Sequence, residues 1–530
     1  MSDGSEARGS FLTAKQDKMK RFILLLVVQQ CLFWAKVLVG QELDWDTTAR
    51  LVTGDVSGVD IGPLSCVIIA SIAVMSIDST LKILLVFVLH DLFYVAALWV
   101  LMSWLDHRFH LNSRDLTLAA LVFICVPPIF RTVTLADDNV FPLPFLLLAL
   151  QEETQQRRAH VTGLLLGLAL CFHIQSILIV SVLFAHRLVA VRRVGRTGVV
   201  SAALVAGLPV LMYLACLLPL YAVGVSSTVM RYLFGEARWS FLAQDLTAQS
   251  VLARLVLWLS SITKAFLPPF SMLLSAEIRT LLDISVAVMI LACVFYALHR
   301  RFKALDDMAI PFLLITIGQL AVSFLYEPEG LERWTTLALL MPLYYIWLIH
   351  DTTDLLAWFN QGLRRVSGMR ISRALHLNRT TVHNTIFVGV ALIVLSYPVV
   401  WTAISAPTPP VGVFIARQNA LLIPNPLSLV VANDILDGDP RSLNLYSPTI
   451  VTAWIRNAGH VLVTHDKQSN VTYFDSPEDL VEYLNETFYQ YHEAGYAILL
   501  LPGSFTLVND LLPDLEQVAV PGLPYRQVVL

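Results

Sequence analysis

Charge is scarce in this 530-residue chain: Asp, Glu, Lys and Arg make up 14% of it, against about a quarter in soluble domains. With 56% hydrophobic residues, that scarcity excludes an ordinary soluble enzyme and equally a disordered or fibrous protein. The net charge of −4 leaves no basic field of the kind that nucleic acid requires, so no nucleic-acid partner is expected. Cysteine is sparse too. Cys31, Cys66, Cys125, Cys171, Cys216 and Cys293 all fall in apolar segments, and the polar C-terminal stretch has none, which argues against a disulfide framework or a zinc site there. Neither barrel-type alternation nor an internal repeat is visible.

What is present is a series of apolar blocks of roughly 17–25 residues, the length of a membrane-spanning helix. Residues 1–21 are polar and basic, and Lys15, Lys18, Lys20 and Arg21 place the N-terminus inside. Phe22–Gly40 reads as a retained first helix rather than a signal peptide. Further crossings are expected at Ile83–Leu105, Leu116–Phe130, Val140–Leu150, Val161–Cys171, Ile174–His186, Val199–Val223, Asp283–Leu298, Ile310–Tyr326, Trp334–His350 and Asn384–Trp401. Arginine-rich loops recur on one side, at Arg157–Arg158, Arg187–Arg196, His299–Lys303 and Arg364–Arg379. The fold expected is a polytopic α-helical membrane domain over 22–401 with about eleven spans. Its outer loops would be 41–82, with Leu64–Ile77 lying on the interface, and 224–281, with an amphipathic helix embedded. From 402 the composition changes: prolines 407, 409, 410, 424 and 426 precede β-like runs at Ser428–Val431, His460–Thr464 and Tyr496–Leu501, with a helix signal at Ser476-Pro477. Residues 402–530 therefore read as a small extracytoplasmic α/β domain. Arginine far outnumbers lysine, which points to a GC-rich genome and a bacterial plasma membrane rather than an endoplasmic reticulum.

Acidic and other polar groups gather on the outer side. Asp44 and Asp46, flanking Trp45 just beyond the first helix, have the chemistry of a general base and its partner or of oxygen ligands to a divalent cation. Asp137-Asp138-Asn139 follows the third span; the competing reading is a solvated turn that caps the next helix. Glu327, Glu332 and Arg333 occupy a short outer loop, where Arg333 has the planar fork that grips phosphate and Trp334 equally suits an interfacial anchor. His173 sits at the outer turn of a short span pair, and Arg231 and Arg238 lie among aromatics in the long outer loop.

This layout resembles the GT-C superfamily of polytopic glycosyltransferases, which use polyprenyl- or dolichyl-phosphate sugars. The resemblance covers roughly residues 20–400 and rests on Asp44-Trp45-Asp46, Leu64–Ile77, Asp137-Asp138-Asn139, Gly163 and Gly167 leading to His173, the long loop, and Glu327–Arg333 followed by Trp334 and Met341-Pro342. Trp334 stands where the family's usual residue after the Arg is Tyr, and no WWDYG-like motif of oligosaccharyltransferases occurs. The resemblance implies inverting sugar transfer from a polyprenyl-phosphate donor to a hydroxyl of a glycan, lipid or protein acceptor at the outer face, among membrane lipids. Asp44, with Asp46 as alternative or helper, would be the base. Arg333, His173, Arg231 and Arg238 would face the phosphate, and Asp137 or Asp138 would orient the sugar or join Asp44 and Asp46 around a divalent cation. The alternatives are a transporter or flippase of a lipid-linked or anionic solute, and a non-catalytic assembly subunit.

Overall fold

The computed structural model describes residues 3–39, 62–77, 79–155, 158–194, 196–222, 248–267, 276–303, 308–325, 334–352 and 379–405, with short stretches between 428 and 529. Two compact units are formed. The helical one is built on Phe87–Thr408 with Met1–Gln41 and Ser57–Val67; the other contains Ile68–Val86 and the chain from Pro409.

The helices are α1 (Asp3–Val39), α2 (Pro63–Ala73), α3 (Ser79–Phe109), α4 (Ser113–Cys125), α5 (Pro127–Thr134), α6 (Leu143–Thr154), α7 (Ala159–Phe172), α8 (Ile177–Val194) and α9 (Arg196–Ala222). After them come α10 (Ala248–Phe266), α11 (Ala276–Lys303), α12 (Ala309–Leu325) and α13 (Thr335–Ala338), then α14 over 341–352 and α15 (Arg379–Ser405). Five helical stretches are long and apolar enough to cross a membrane, or six if the bent pair α4–α5 counts as one span. Their outer faces carry large exposed apolar side chains such as Leu24, Leu92, Leu211, Leu218 and Leu392. In water such a surface would drive aggregation, whereas hydrocarbon solvates it. The chain is an integral, multi-pass membrane protein.

Several expected spans prove shorter or broken, each for a local reason. Leu116–Phe130 is not one helix: Val126 is extended at ψ 132°, and α4 and α5 meet at 50°. Pro127 clashes with a helical conformation at the residue before it, and a helix can restart with proline at its first position. Trp334–His350 breaks at Leu339–Leu340, before Met341-Pro342 restarts the helix. The expected crossing at Val140–Leu150 becomes α6, twelve residues long; at 1.5 Å per residue that reaches about 18 Å, well short of a bilayer core. The run Leu64–Ile77, expected on the interface, is helical over Pro63–Ala73 and then turns. Val251–Ser275 contains the amphipathic α10 over its first part, and residues 268–275 lie outside the described ones.

The helices interlock in defined directions. Phe22 meets Trp99, Gln30 Nε2 donates to Asp91 Oδ1 at 2.7 Å, and Phe33 meets Phe87, so α1 and α3 run antiparallel. Along α15, Phe387 takes the Arg114 guanidinium at 4.0 Å, Tyr397 meets Phe130, and Trp401 meets Arg131, so α15 runs parallel to α4–α5. Helices α7 and α9 approach through glycine: a Cβ on Gly163 would stand 2.4 Å from the Leu204 carbonyl oxygen. In the C-terminal part, β1 (Ser428–Val431), β4 (Ala497–Leu500), β6 (Arg526–Val529) and β5 (Glu516–Ala519) form a sheet in that order. The β1–β4 pair is parallel; β4–β6 and β6–β5 are antiparallel. Strands β2 (Ser442–Leu443) and β3 (Thr472–Tyr473) form a separate antiparallel pair. The β-like run expected at His460–Thr464 and the helix start at Ser476 lie outside the described residues.

Candidate functional site

The end of α5 closes in a Schellman turn. The Ala136 N–H donates to Val133 O at 3.2 Å and the Asp137 N–H to Thr132 O at 3.0 Å. The position that glycine normally fills is Ala136, with φ +54°, a conformation that costs a residue with a Cβ roughly 1–2 kcal/mol. The turn delivers two adjacent carboxylates to different tasks. Asp137 Oδ1 accepts the backbone N–H of Asn139 at 2.9 Å and its Nδ2 at 2.8 Å, capping the 3-10 turn Asp138–Val140. For Asp137 the capping role considered from the sequence is what the geometry shows. Asp138 instead faces His173, with Oδ1 3.6 Å from Nε2.

His173 is placed by the end of α7. Its backbone is extended and it caps the 3-10 turn Ile174–Ser176, with Nδ1 accepting the Gln175 N–H at 3.2 Å. A ring nitrogen that accepts a backbone N–H carries no proton, so the ring proton of the neutral imidazole belongs on Nε2, toward Asp138. Both residues are buried, His173 at 3% exposure and Asp138 at 6%. Below them lies an aromatic floor: Phe172 stacks on Phe145 at 5.4 Å and touches Phe93 and Phe141. Ser65 Oγ donates to Phe172 O at 2.6 Å, and a Cβ at Gly62 would stand 2.2 Å from that same oxygen. The start of α2 is thereby anchored on the residue preceding His173, and only glycine permits so close an approach.

A second group lies where α1, α5 and α15 meet. The Arg131 guanidinium stands 5.4 Å and the Lys36 ammonium 5.9 Å from the centroid of one indole, that of Trp401. Lys36 is fully buried. Within this group Arg131 Nε, Trp401 Nε1 and, next in the chain, Thr132 Oγ1 are buried and have no hydrogen-bond partner among the described residues. Such atoms are rare in folded proteins, because each forfeits its hydration without replacement. Two of the three are N–H groups that only donate. A buried anionic acceptor complements donors of this kind. The group is continuous with the carboxylate turn, since Arg131 immediately precedes Thr132, whose carbonyl anchors Asp137.

Of the residues singled out from the sequence, the structure brings Asp138 and His173 together and commits Asp137 to the turn. Asp44, Asp46, Arg231, Arg238, Glu327, Glu332 and Arg333 lie outside the described residues. Among the described residues no three His, Cys, Asp or Glu side chains converge as metal ligands, so a divalent cation on Asp138 would require ligands from outside them. Sequence reasoning passed over Lys36, Arg131 and Trp401 as site residues. The available signal was a lone lysine near the end of an apolar helix, which in a membrane marks function by default.

Compared with protein-family models and with characterised proteins, the sequence shows no match. Solved structures do match. ArnT from Cupriavidus metallidurans, in a crystal structure bound to undecaprenyl phosphate, aligns with a TM-score of 0.53 at 11% identity, over 96% of this chain and 97% of that one. The same protein in the apo state aligns with a TM-score of 0.52 at 12% identity, over 97% of this chain and 98% of the other. At such identity the likeness speaks for the fold alone: over nearly its whole length the chain has the fold of ArnT.

Proposed function

We propose that the protein is a membrane glycosyltransferase of GT-C type that moves a sugar from a polyprenyl-phosphate donor to an acceptor hydroxyl at the outer membrane face, with inversion. The observation that carries this reading is the Lys36–Trp401–Arg131 cluster, in which Arg131 Nε and Trp401 Nε1 have no hydrogen-bond partner among the described residues and Arg131 lies on the helix that leads into the Asp138–His173 turn. The ArnT structure of the same fold, which holds undecaprenyl phosphate, supports a polyprenyl phosphate as the anion.

The chemistry follows from the charges. The acceptor oxygen attacks the anomeric carbon on the face opposite the phosphate. The bond from that carbon to the phosphate oxygen breaks, and its electron pair leaves on the phosphate, now a monoester carrying about two negative charges near neutral pH. Lys36 and Arg131 stabilise that growing charge, Arg333, Arg231 and Arg238 are the further cations proposed around it, and His173 is proposed to face it as a neutral Nε2–H donor. The acceptor's proton passes to Asp44, with Asp46 as alternative or helper. These two residues belong to the segment between Lys36 and Gly62. Asp138, facing His173, is assigned to orient the sugar.

Binding of the lipid tests the reading. The full-length protein in neutral detergent is incubated with undecaprenyl phosphate or with undecaprenol and analysed by native mass spectrometry. The phosphate form is expected to be retained by the wild type and lost from a Lys36→Gln/Arg131→Gln variant. Equal retention of the phosphate-free alcohol would overturn it.

A further inference from the structure

The opposite end of the helical unit holds a cavity that the transfer reaction does not use. It has a volume of about 380 Å³ and is lined by Phe109, Arg300, Arg301, Trp347, His350 and Asp351 among others. Phe109 ends α3, nineteen residues beyond His90, whose ring packs on Phe141 near the Asp138 turn. At 1.5 Å per residue the cavity lies about 28 Å along α3 from that turn, roughly the thickness of a hydrocarbon core.

The cavity's charges are unevenly matched. Arg300 Nη1 donates to Asp351 Oδ1 at 2.9 Å, and His350 Nε2 meets Asp115 Oδ2 at 2.8 Å. Asp115 is itself held by Asn112, whose Nδ2 donates to the same Oδ2 at 2.9 Å. These contacts set one carboxylate against Arg300 and another against His350. Arg301 is placed differently. Its guanidinium lies over the Trp347 ring at 5.0 Å, and its Nε is buried with no hydrogen-bond partner among the described residues. A nearby arginine, Arg108, also stands over an aromatic ring, that of Phe109, at 5.8 Å. A guanidinium stacked on an indole keeps its edge N–H groups available in the ring plane, and that fork matches two oxygens of a phosphate. Phe109, Leu111, Ile346 and Trp347 supply apolar wall on the same cavity.

We infer that this cavity binds the phosphate of an anionic phospholipid from the leaflet at this end of the membrane domain, with Arg301 as the principal contact. Trp347 holds the guanidinium in place, and the Arg300–Asp351 and His350–Asp115 pairs set the shape of the mouth. By the arginine pattern of the loops this is the cytoplasmic leaflet, which is rich in anionic lipid. The inference does not depend on which sugar is transferred, or on whether one is.

The test uses the full-length protein in neutral detergent, titrated with short-chain phosphatidylglycerol, short-chain phosphatidylcholine and glycerol 3-phosphate, with bound species counted by native mass spectrometry. Phosphatidylglycerol is expected to bind at least about tenfold more tightly than phosphatidylcholine, and Arg301→Gln to weaken it by about tenfold, the size of one lost charge-assisted hydrogen bond. Arg301→Lys keeps the charge but not the fork and should fall between; it also decides the matter if the Gln variant fails to fold. Equal affinity for the two lipids, or an Arg301→Gln variant that binds like the wild type, would overturn the inference. Glycerol 3-phosphate binding as tightly as phosphatidylglycerol would overturn the lipid assignment and identify a soluble phosphate ester instead.

Discussion

Replacing Glu153 by glutamine removes one charge from a buried pair while keeping the shape of the side chain. Glu153 ends α6 at 3% exposure. Its Oε1 and Oε2 both accept from Arg187 Nε at 2.9 Å, Oε2 also accepts from Arg187 Nη2 at 2.7 Å, and Oε1 meets His186 Nδ1 at 3.0 Å. The remaining Arg187 contact, from Nη1 to Ser201 Oγ, ties α8 to α9. Glutamine leaves one acceptor and turns an NH2 group toward the guanidinium, so a half-buried cation loses its counter-charge. Breaking a buried pair in this way costs about 3–5 kcal/mol; we expect about 3, since Gln retains one acceptor and Arg187 retains Ser201. Equilibrium unfolding in mixed micelles with increasing SDS would measure the loss. A Glu153→Gln/Arg187→Met double variant should regain most of it, because the stranded charge is then gone as well. The pH dependence has a definite sign. Burial pushes the Glu153 carboxyl up, but the hydrogen bonds and charges of His186 and Arg187 outweigh it and hold the carboxyl below its ordinary 4.5. Its contribution is then fully present above that ordinary value and disappears as pH falls through the lowered one, so the gap between wild type and variant narrows in acid. A Glu153→Gln variant within about 0.5 kcal/mol of the wild type, the usual scatter of a surface change, would show that the pair contributes little to stability.

Further outcomes follow from the same geometry. Gly163→Val puts a side chain where a Cβ already stands 2.4 Å from the Leu204 carbonyl oxygen; α7 and α9 must separate, and the same unfolding assay should show a loss of about 1–3 kcal/mol. Arg131→Gln removes one of the two cations beside Trp401 and should raise the Kd for undecaprenyl phosphate by about tenfold, read by titration in detergent. Asp138→Asn removes the carboxylate facing His173 while leaving the Asp137 cap in place, so thermal stability should change little and sugar transfer should fall.

The sequence made much of the membrane domain legible because the bilayer imposes length and polarity on each segment. Phe22–Gly40, Ile83–Leu105 and Asn384–Trp401 overlap the long apolar helices α1, α3 and α15. Where hydropathy misled, packing inside the protein was the cause. Residues around Val126 and Leu339 are as apolar as any span, but proline restarts the helix there, and buried polar backbone is tolerated once neighbouring helices enclose it. The site was legible only in part. The adjacency of Asp137 and Asp138 showed that one of them need face inward, yet which one depends on the Asn139 hydrogen bonds. Lys36 and Arg131 are 95 residues apart and Trp401 lies 270 residues further on, and only folding brings them to one indole ring. Nothing in the linear order marks such a meeting.

The proposed reaction has a carboxylate of the first outer segment draw a proton from the acceptor while a polyprenyl phosphate departs. It is tested most directly by measuring polyprenyl phosphate released from a panel of polyprenyl-phosphate sugars, with acceptor glycans and lipids present, for the wild type and for Asp44→Asn and Asp46→Asn. Release by the wild type and a fall of at least about a hundredfold in one of the two variants, the scale of a lost general base, is the predicted result. Turnover in both variants within twofold of the wild type, or no release from any donor, would contradict the account.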